Sequence, residues 1–507
     1  MIFKERILFY GVVALFFVIA VLPVLFLMVG SFFDTNGFSL AAYEILFHNK
    51  AMLVALKNSF FLAITVAFLT TLIGTFVALL FVKCDFSFGN ILLAFFTVPL
   101  LIPSYILAFS WASLFGKSFY GVWGVVFVLF WVYLPVSIFI VTLYLRRIDS
   151  TLEEAALLVT DGKGVLLGIT LPLVREALFF AFVLVFILAF GEFGVANFLR
   201  YPVFVTQSFV YFSAFYDFKA AIVASLPVLF VVAAVFWMQR YILQVTTYVH
   251  QKRVKGLCFE VGKYRLLFGM FLLFLLAGVV VPLVQLVVEV KTFHLFLEAL
   301  EQAKTALLHT LGIGVLSATL LMLFGFLSAY LVVYRMVRGW RFFDALVLVL
   351  FALPSVVLGI GLILLWNTKA TNFIYTTLLI LLFAYLGKYL ALSMKTIQAH
   401  LQKLPSSLHE AAMLCGAKWY QIWRYITIPL SREELLTAWV IGFVFTVRET
   451  TMTMLLYPPG MDTLPVYILT QMANGKEEMI AALSLIMVLV TLLPFLFVFV
   501  YRKVRIS

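Results

Sequence analysis

The sequence contains few charged residues. Asp, Glu, Lys and Arg make up 11% of its 507 residues, whereas hydrophobic residues make up 65%. Soluble domains carry roughly 25% charged residues, so this composition excludes an ordinary soluble protein and indicates a chain that crosses a membrane several times. The net charge is +12, but the basic residues lie in short stretches between apolar runs. That pattern is typical of membrane topology, not of nucleic-acid binding.

Motifs for catalysis and nucleotide binding are absent from the sequence. There is no Gly-x-x-x-x-Gly-Lys-Ser/Thr motif, no His-Glu-x-x-His motif and no nucleophile elbow, so neither ATP binding nor an enzymatic reaction is expected on this chain. Cys84, Cys258 and Cys415 are too widely spaced for a metal site, and reduced thiols are expected. His409 lies in a polar stretch and is expected to be solvated, not a metal ligand. We therefore predict no cofactor and no firm metal site.

Long apolar runs are abundant in the sequence. A bilayer core of about 30 Å needs about 20 apolar residues per helix. The predicted fold is all-α, a polytopic membrane protein with about 12 transmembrane helices, and the distribution of Lys and Arg places both chain ends in the cytosol. The runs cover residues 7–30, 59–82, 90–115, 122–145, 176–198, 219–241, 265–290, 310–333, 345–366, 374–393, 434–456 and 479–501.

The apolar runs repeat in two halves of the chain. The stretch "LKNSFFLAITVAFLTTLIGTFVALL" resembles "LLHTLGIGVLSATLLMLFGFLSAYL". Ser59 and Gly74 of the first match Thr310 and Gly325 of the second, and small residues allow helices to pack closely. Two tandem six-helix halves in the same order predict pseudo-twofold symmetry about the membrane normal.

The repeat sets the domain boundaries that we expect. The fourth runs of the two halves carry aromatic stretches that we pair with each other, "WVYLP" at 131–135 and "FAYLG" at 383–387. The expected divisions are a first helix with an outer loop (1–50), a first repeat domain (51–245), a basic linker with the seventh helix (246–302) and a second repeat domain (303–502).

Each half contains one polar stretch between its fourth and fifth runs. The first loop reads "STLEEAALLVTDGKGVLLGITLPLVRE" (150–176), and the second loop reads "SSLHEAAMLCGAKWYQIWRYITIPLSRE" (406–433). The second loop contains Gly416, which suits a left-handed residue at a helix C-terminus. Pro172 and Pro429 are expected to break the chain direction just before the fifth run of each half.

The beginning of each loop predicts a short capped helix. Thr151-x-x-Glu154 and Ser407-x-x-Glu410 are capping-box patterns, in which the hydroxyl and the glutamate satisfy backbone N–H groups of the first turn. An interhelical helix of this kind can be merely structural. Its occurrence at the same place in both halves favours a function.

The two loops resemble the EAA loop of ATP-binding-cassette (ABC) importer permeases, whose pattern is Glu-Ala-Ala, three residues, Gly, nine residues and Ile-x-Leu-Pro. In that family the loop helix docks into a cleft on a cytosolic ATPase and transmits its closure to the membrane helices. The first loop departs from the pattern, because Thr160 stands at the glycine position. The resemblance assigns ATPase coupling to Glu154, Ala155, Ala156, Gly162, Leu171 and Pro172 in the first loop and to Glu410, Ala411, Ala412, Gly416, Ile426 and Pro429 in the second.

Within that family the chain looks most like ferric-iron permeases. The stretches "AFGEFGVANFL" (189–199) and "VRETTMTMLLYPPGMDTLPVYILTQMANG" (447–475) are similar to theirs. The resemblance implies a type I permease in the bacterial cytoplasmic membrane, fused from two ABC transmembrane type-1 domains. It implies two cytosolic ATPase subunits that bind ATP and Mg, and a periplasmic or extracellular solute-binding protein.

Two alternatives to a ferric-iron importer stay open. The same kind of importer can carry thiamine or another small organic solute, such as a phosphonate or a polyamine. An ion-coupled secondary transporter also uses sequence repeats and intramembrane carboxylates, but it would not need the two polar loops.

Two carboxylates follow the loop prolines at the same spacing, Glu192 in the first half and Glu449 in the second. A charge inside a membrane costs several kcal/mol unless it faces a partner or a wet cavity. Glu192, Glu449 and the neighbouring Arg448 are therefore candidates for the translocation path, and carboxylates suit a hard cation. The alternative is a structural role, in which Glu449 pairs with Lys388 or with an arginine.

Overall fold

The structure of the protein is a computed structural model. It describes residues 2–34, 37–40, 43–44, 48–84, 89–215, 220–224, 226–227, 230–231, 262 and 265–506. Most of the predicted sixth span (219–241) and of the basic linker lies outside the described residues, as does Cys258.

Helices make up nearly all of the regular structure. The only described strands, β1 (Phe33–Asp34) and β2 (Gly37–Phe38), form one short antiparallel pair. The helices up to residue 289 are α1 (Ile2–Phe16), α2 (Leu22–Gly30), α3 (Lys50–Lys83), α4 (Gly89–Leu101), α5 (Ser104–Phe115), α6 (Val122–Leu145), α7 (Ser150–Leu157), α8 (Gly162–Val165), α9 (Leu171–Phe190), α10 (Gly194–Phe198), α11 (Phe204–Ser213) and α12 (Arg265–Glu289).

The remaining helices follow after residue 289. They are α13 (Phe293–Gln302), α14 (Lys304–Val333), α15 (Trp340–Ala352), α16 (Ser355–Trp366), α17 (Asn372–Tyr375), α18 (Leu379–Leu401), α19 (Ser406–Leu414), α20 (Trp419–Ile422), α21 (Ile428–Leu430), α22 (Arg432–Val447), α23 (Thr451–Leu456), α24 (Leu464–Asn474) and α25 (Glu477–Ile506). A 3₁₀ turn covers Gly116–Phe119, and π-helical turns cover Phe17–Val21, Leu166–Thr170 and Trp423–Thr427.

Within the described residues, eight helices are long and apolar enough to cross a membrane, or up to ten if each bent pair is one span. The bent pairs are α4 with α5, at 104°, and α15 with α16, at 106°. Pro103 and Pro354 stand at these bends, where proline drives the preceding residue out of the helical conformation. The apolar helical character of the chain is confirmed, and the count of twelve spans stays a prediction.

Two of the predicted spans end in a break. The predicted fifth span continues only to Phe190, after which α10 begins at Gly194. The predicted eleventh span consists of α22, which has 16 residues, followed by α23 from Thr451. Glu192 and Glu449 lie in these two breaks. Each carboxylate accepts a hydrogen bond from a backbone N–H of the short helix that follows the break.

The chain divides into two compact units. The middle unit comprises Ile45–Val210 and Pro227–Glu289, and the C-terminal unit comprises Met1–Glu44, Tyr211–Leu226 and Val290–Ser507. The predicted first span therefore packs with the second repeat domain, and the predicted seventh span packs with the first. This division differs from two contiguous halves, and the pseudo-twofold symmetry stays a prediction.

The first span packs closely against the helices of the C-terminal unit. A Cβ atom added to Gly361 of α16 would lie 2.8 Å from the carbonyl oxygen of Pro23. A Cβ atom added to Gly387 of α18 would lie 3.0 Å from the Cβ of Ala20. The small residues of α16 and α18 thus provide the surface on which this span lies.

The repeat appears in the packing of each unit. In the middle unit, Gly74 of α3 crosses α6 at Ser137, and an added Cβ would lie 2.7 Å from the serine Cβ. In the C-terminal unit, Gly325 of α14 crosses α18 at Ser393, and the corresponding distance is 2.8 Å. The close helix packing expected at Gly74 and Gly325 is confirmed.

The other matched pair of small residues caps a helix in each unit. The hydroxyl of Ser59 accepts a hydrogen bond from the backbone N–H of Phe204 at 2.8 Å. The hydroxyl of Thr310 accepts one from the N–H of Leu464 at 2.7 Å. These bonds fix the starts of α11 and α24. Ser59 and Thr310, which match in the sequence repeat, therefore make equivalent hydrogen bonds in the two units.

Candidate functional site: paired loop helices and helix-break carboxylates

The loop helices α7 and α19 begin two residues earlier than the capping boxes predict, because their N-cap residues are Asp149 and Pro405. The carboxylate of Asp149 caps α7 by accepting a hydrogen bond from the N–H of Thr151 at 3.0 Å. Pro405 precedes α19, which has no side-chain cap. The predicted capping boxes are wrong, because Thr151 and Ser407 already lie inside the first turn.

The second loop helix ends as predicted. Gly416 has a φ of +78°, and its N–H donates to the carbonyl of Met413 while the N–H of Ala417 donates to that of Ala412, both at 3.0 Å. This is a Schellman motif, which places a left-handed residue after the helix and favours glycine there. The left-handed C-terminus predicted at Gly416 is confirmed.

The first loop helix ends differently. The N–H of Thr160 donates to the carbonyl of Ala156 at 2.9 Å, and neither Thr160 nor Gly162 has a positive φ. Asp161 then caps α8 by accepting from the N–H of Gly164 at 2.8 Å. The sequence difference at the glycine position therefore produces a different backbone turn.

A π-helical turn precedes the proline in each loop. Leu166–Thr170 leads into Leu171 and Pro172, and Trp423–Thr427 leads into Ile428 and Pro429. The helix continues through Pro172, since residues Gly162–Phe190 form one apolar span. The predicted break at Pro172 is wrong, because the wider π turn accommodates a residue that lacks an N–H donor.

The loop helices expose apolar side chains at matching positions. Leu158 and Leu414, which follow or end the helices, are each 89% exposed. Contiguous exposed apolar surface on a protein marks an interaction site. The other matching exposed pairs are Leu152 with Leu408 and Leu157 with Met413.

Seven of the twelve residues assigned to ATPase coupling are exposed, and the other five are half-buried. The exposed ones are Glu154, Ala155, Pro172, Glu410, Ala411, Gly416 and Pro429. The half-buried ones are Ala156, Gly162, Leu171, Ala412 and Ile426.

The residue before each loop glutamate is buried, which the sequence reasoning missed. Glu153 is completely buried, and its carboxylate contacts the ammonium of Lys83 at 2.6 Å. His409 is 7% exposed, so the prediction that it is solvated is wrong. Neighbouring residues of a helix face different directions, so the exposed Glu154 and Glu410 did not show that the residue before them is buried.

Glu192 ties the first helix break together. Its Oε1 accepts hydrogen bonds from the hydroxyl of Ser104 at 2.9 Å and from the N–H of Val195 at 3.2 Å. Its Oε2 accepts from the hydroxyl of Tyr133 at 2.9 Å. The carboxylate therefore caps α10 and anchors it to α5 and α6.

Glu449 does the same at the second helix break. It accepts hydrogen bonds from the hydroxyl of Tyr389 and from the N–H of Met452, the latter at 3.0 Å. Tyr389 is thus the counterpart of Tyr133. The pairing of "WVYLP" with "FAYLG" is wrong by one helical turn, because Tyr385 bonds to Thr453 instead.

The intramembrane cations do not pair with Glu449 in the described structure. Lys388 donates to the carbonyl of Leu353. The guanidinium of Arg448 lies 5.0 Å from the centroid of the Phe445 ring. Its Nη1 is buried without a hydrogen-bond partner among the described residues.

The hydrogen bonds of Glu192 and Glu449 show a structural role, because each carboxylate binds a backbone N–H of the helix that follows it. Their place in a translocation path stays a prediction. Within the described ranges, no group of three or more His, Cys, Asp or Glu residues is arranged to hold a metal ion.

Multiple apolar spans, repeated helix breaks and two exposed loop helices are the features of a multi-pass membrane protein with a repeated architecture. The family model described as "Binding-protein-dependent transport system inner membrane component" matches residues 70–247 and again residues 321–506. The chain belongs to this family, which consists of transport permeases, and the double match corresponds to the two repeats.

Individual relatives of the chain come from several transport systems. The Fe(3+)-transport system permease protein FbpB 2 of Haemophilus influenzae is 24% identical over 91% of this chain and 91% of that protein. The ferric transport system permease protein FbpB of Actinobacillus pleuropneumoniae is 24% identical over 96% of this chain and 77% of that protein. The putative 2-aminoethylphosphonate transport system permease protein PhnV of Salmonella typhimurium is 28% identical over 40% of this chain and 76% of that protein.

Proposed function

We propose that the chain is the membrane-spanning permease of an ABC importer for ferric iron. The observation that carries this proposal is the double family match, which coincides with two loop helices that expose the same apolar positions. Ferric iron is the proposed solute because relatives named for ferric transport cover most of this chain. The alternative solutes are a phosphonate or a polyamine, for which related permeases match a shorter part of the chain.

The proposed partners follow from the two exposed loop helices and from the family. Two cytosolic ATPase subunits, which bind ATP and Mg, would each take one loop helix. A periplasmic or extracellular binding protein would deliver the solute, since the family depends on such a protein. We place the chain in the bacterial inner membrane with about twelve spans and both termini in the cytosol.

The proposed mechanism is alternating access. Closure of the ATPases would push the exposed Glu154 and Glu410 helices, which are continuous in sequence with α9 and α22. The two repeats would then open outward, accept the solute and reset after hydrolysis. A ligand can drive such a cycle only if it binds the two states with different affinities.

The experiment that tests the function is uptake into proteoliposomes. The purified chain is reconstituted with its ATPase and with iron-loaded binding protein, and radioactive ferric iron is counted with and without ATP. We expect ATP-dependent uptake of iron that excess 2-aminoethylphosphonate or spermidine does not reduce. Uptake that persists without the ATPase would favour a secondary transporter, and competition by an organic solute would reassign the substrate.

Replacing Glu449 by glutamine is expected to lower uptake several-fold without changing the amount of protein in the membrane. The amide keeps an acceptor for the N–H of Met452 but removes the negative charge that a cation path would use. Uptake and abundance are measured together. Glu298→Gln, an exposed carboxylate on α13, is the control; normal uptake by Glu449→Gln, or its loss from the membrane, would contradict a pathway role.

Replacing Gly416 by aspartate is expected to reduce ATP-driven uptake more than replacing Gly162 by aspartate. Gly416 has a left-handed backbone that costs an ordinary L residue roughly 1 kcal/mol, whereas Gly162 has no positive φ. Abundance and ATP-driven uptake are compared for the two variants. Equal losses of uptake in the two variants would contradict the prediction, because the Schellman turn at Gly416 would then matter no more than Gly162 does.

A further inference from the structure

A buried clasp joins the first loop helix to the middle unit. Glu153 of α7 contacts Lys83, the last residue of α3, with 2.6 Å between Oε2 and Nζ. The hydroxyl of Thr170, the last residue of the π turn, donates to Oε1 at 2.8 Å. All three side chains are buried, so the loop helix is held at one point to a helix that does not adjoin it in sequence.

A second clasp lies at the same place in the C-terminal unit. Nε2 of His409 in α19 lies 3.3 Å from the hydroxyl of Tyr334 and 3.2 Å from that of Thr427. Tyr334 directly follows α14, and Thr427 ends the π turn. The rings of His409 and Tyr334 are 4.9 Å apart between centroids.

The two clasps share their positions but not their chemistry. Each uses the residue before the loop glutamate, the end of the long helix that carries Gly74 or Gly325, and the threonine that ends the π turn. The first clasp is an ion pair. The second is neutral, and burial lowers the pKa of His409 from its ordinary value, which keeps the imidazole uncharged at neutral pH.

We propose that Glu153 and His409 are positioning residues, which lock each loop helix to the end of α3 or α14 so that a force on the loop helix also moves that span. This inference rests on the proposed function. It adds to the known loop pattern two residues that do not belong to it and that face inward, whereas Glu154 and Glu410 face outward.

The clasps change what a loop helix can move. The loops are covalently joined to the helices on either side of them, α6 and α9 in the middle unit. The Lys83 contact adds α3, which is already packed on α6 at Gly74 and Ser137. A force on α7 is therefore distributed over three spans that move together, instead of bending the loop alone.

The first test removes one side of the ionic clasp. Glu153→Ala leaves the Lys83 charge buried without its partner, which is strongly destabilising locally. We expect faster hydrogen–deuterium exchange in residues 150–157 of the full chain in nanodiscs and about tenfold lower ATP-driven uptake. Lys163→Ala, an exposed change in the same loop, should alter neither.

The second test restores the pair in reversed order. Lys83→Glu combined with Glu153→Lys should recover slow exchange in 150–157 and at least part of the uptake, whereas either single change should not. Such non-additivity is the signature of a direct pair. A double variant as defective as the single ones, in properly inserted protein, would overturn the pairing role.

The third test exchanges the chemistry of the second clasp. Tyr334→Lys with His409→Glu gives the C-terminal unit the ionic pair of the middle unit. We expect the double variant to retain slow exchange in 406–414 and ATP-driven uptake, and each single variant to lose both.

The two readouts separate this inference from the proposed function. Hydrogen exchange reports the clasp in the chain alone, with no ATPase or solute. If the wild-type chain shows no ATP-dependent uptake but the exchange results hold, the proposed function fails and the anchoring stands without a coupling role. If exchange in 150–157 and 406–414 is unchanged by Glu153→Ala and His409→Ala, the inference fails whatever the transport result.

Discussion

Replacing Gly325 by valine is expected to remove most of the protein from the membrane. An added Cβ would lie 2.8 Å from the Cβ of Ser393, 3.1 Å from its carbonyl carbon and 3.2 Å from the N of Met394. Two of these atoms belong to the backbone of α18, which cannot rotate away as a side chain would. Overpacking in a well-packed core costs about 1–3 kcal/mol or more, and valine adds two methyl groups beyond the Cβ. Membrane abundance and thermal unfolding in detergent are the measurements.

The same helix supplies the control for this prediction. Gly312 also lies in α14, and an added Cβ there meets nothing within 4 Å. Gly312→Val should therefore leave abundance unchanged, whereas Gly74→Val, at the equivalent crossing in the middle unit, should behave like Gly325→Val. Normal abundance and unfolding temperature of Gly325→Val would show that the two helices do not cross at this point.

The sequence predicted the features that depend on local chemistry or on composition. Apolar length alone predicts most of the long helices, because a spanning helix must satisfy its own backbone in lipid. Gly416 was predicted correctly because a left-handed C-terminal residue is a local requirement. Gly74 and Gly325 were found because they occupy equivalent positions in α3 and α14, the matching helices of the two repeats.

The sequence did not predict features that depend on which helices become neighbours. Tyr389, and not Tyr385, is the counterpart of Tyr133 in the second repeat. The sequence did not show this, because a shift of one helical turn keeps the same apolar face and leaves the aromatic pattern nearly unchanged. Glu153 and His409 differ in type, so no shared motif marks them. Only their common contacts with the end of a distant helix reveal a common role.

The sequence also did not predict that the first span belongs to the C-terminal unit and the seventh span to the middle unit. In lipid, an apolar helix gains little from hydrophobic burial against one neighbour instead of another, and association depends on detailed packing. Gly361 and Gly387 provide that packing surface for the first span, near Pro23 and Ala20. Their significance became visible only once the spans were placed side by side.

Replacing Leu414 by aspartate is expected to abolish ATP-driven uptake while leaving the protein in the membrane. The side chain is 89% exposed, so a carboxylate there stays solvated and does not disturb the fold. An ATPase cleft that buries this leucine would lose about 1.5–3 kcal/mol of apolar burial and would have to desolvate a charge as well. We therefore expect ATPase binding at least about tenfold weaker, measured by titrating the ATPase onto the reconstituted chain.

A conservative variant and the matching position in the first loop make this prediction specific. Leu414→Met keeps an apolar side chain of similar volume and should retain binding and uptake. Leu158→Asp, at the equally exposed position after α7, should weaken binding of one ATPase and leave the other bound, because each loop helix offers its own surface. If Leu414→Asp binds the ATPase as well as Leu414→Met does, the exposed leucine lies outside the contact, and the docking surface must then be formed by the glutamate side of the helix alone.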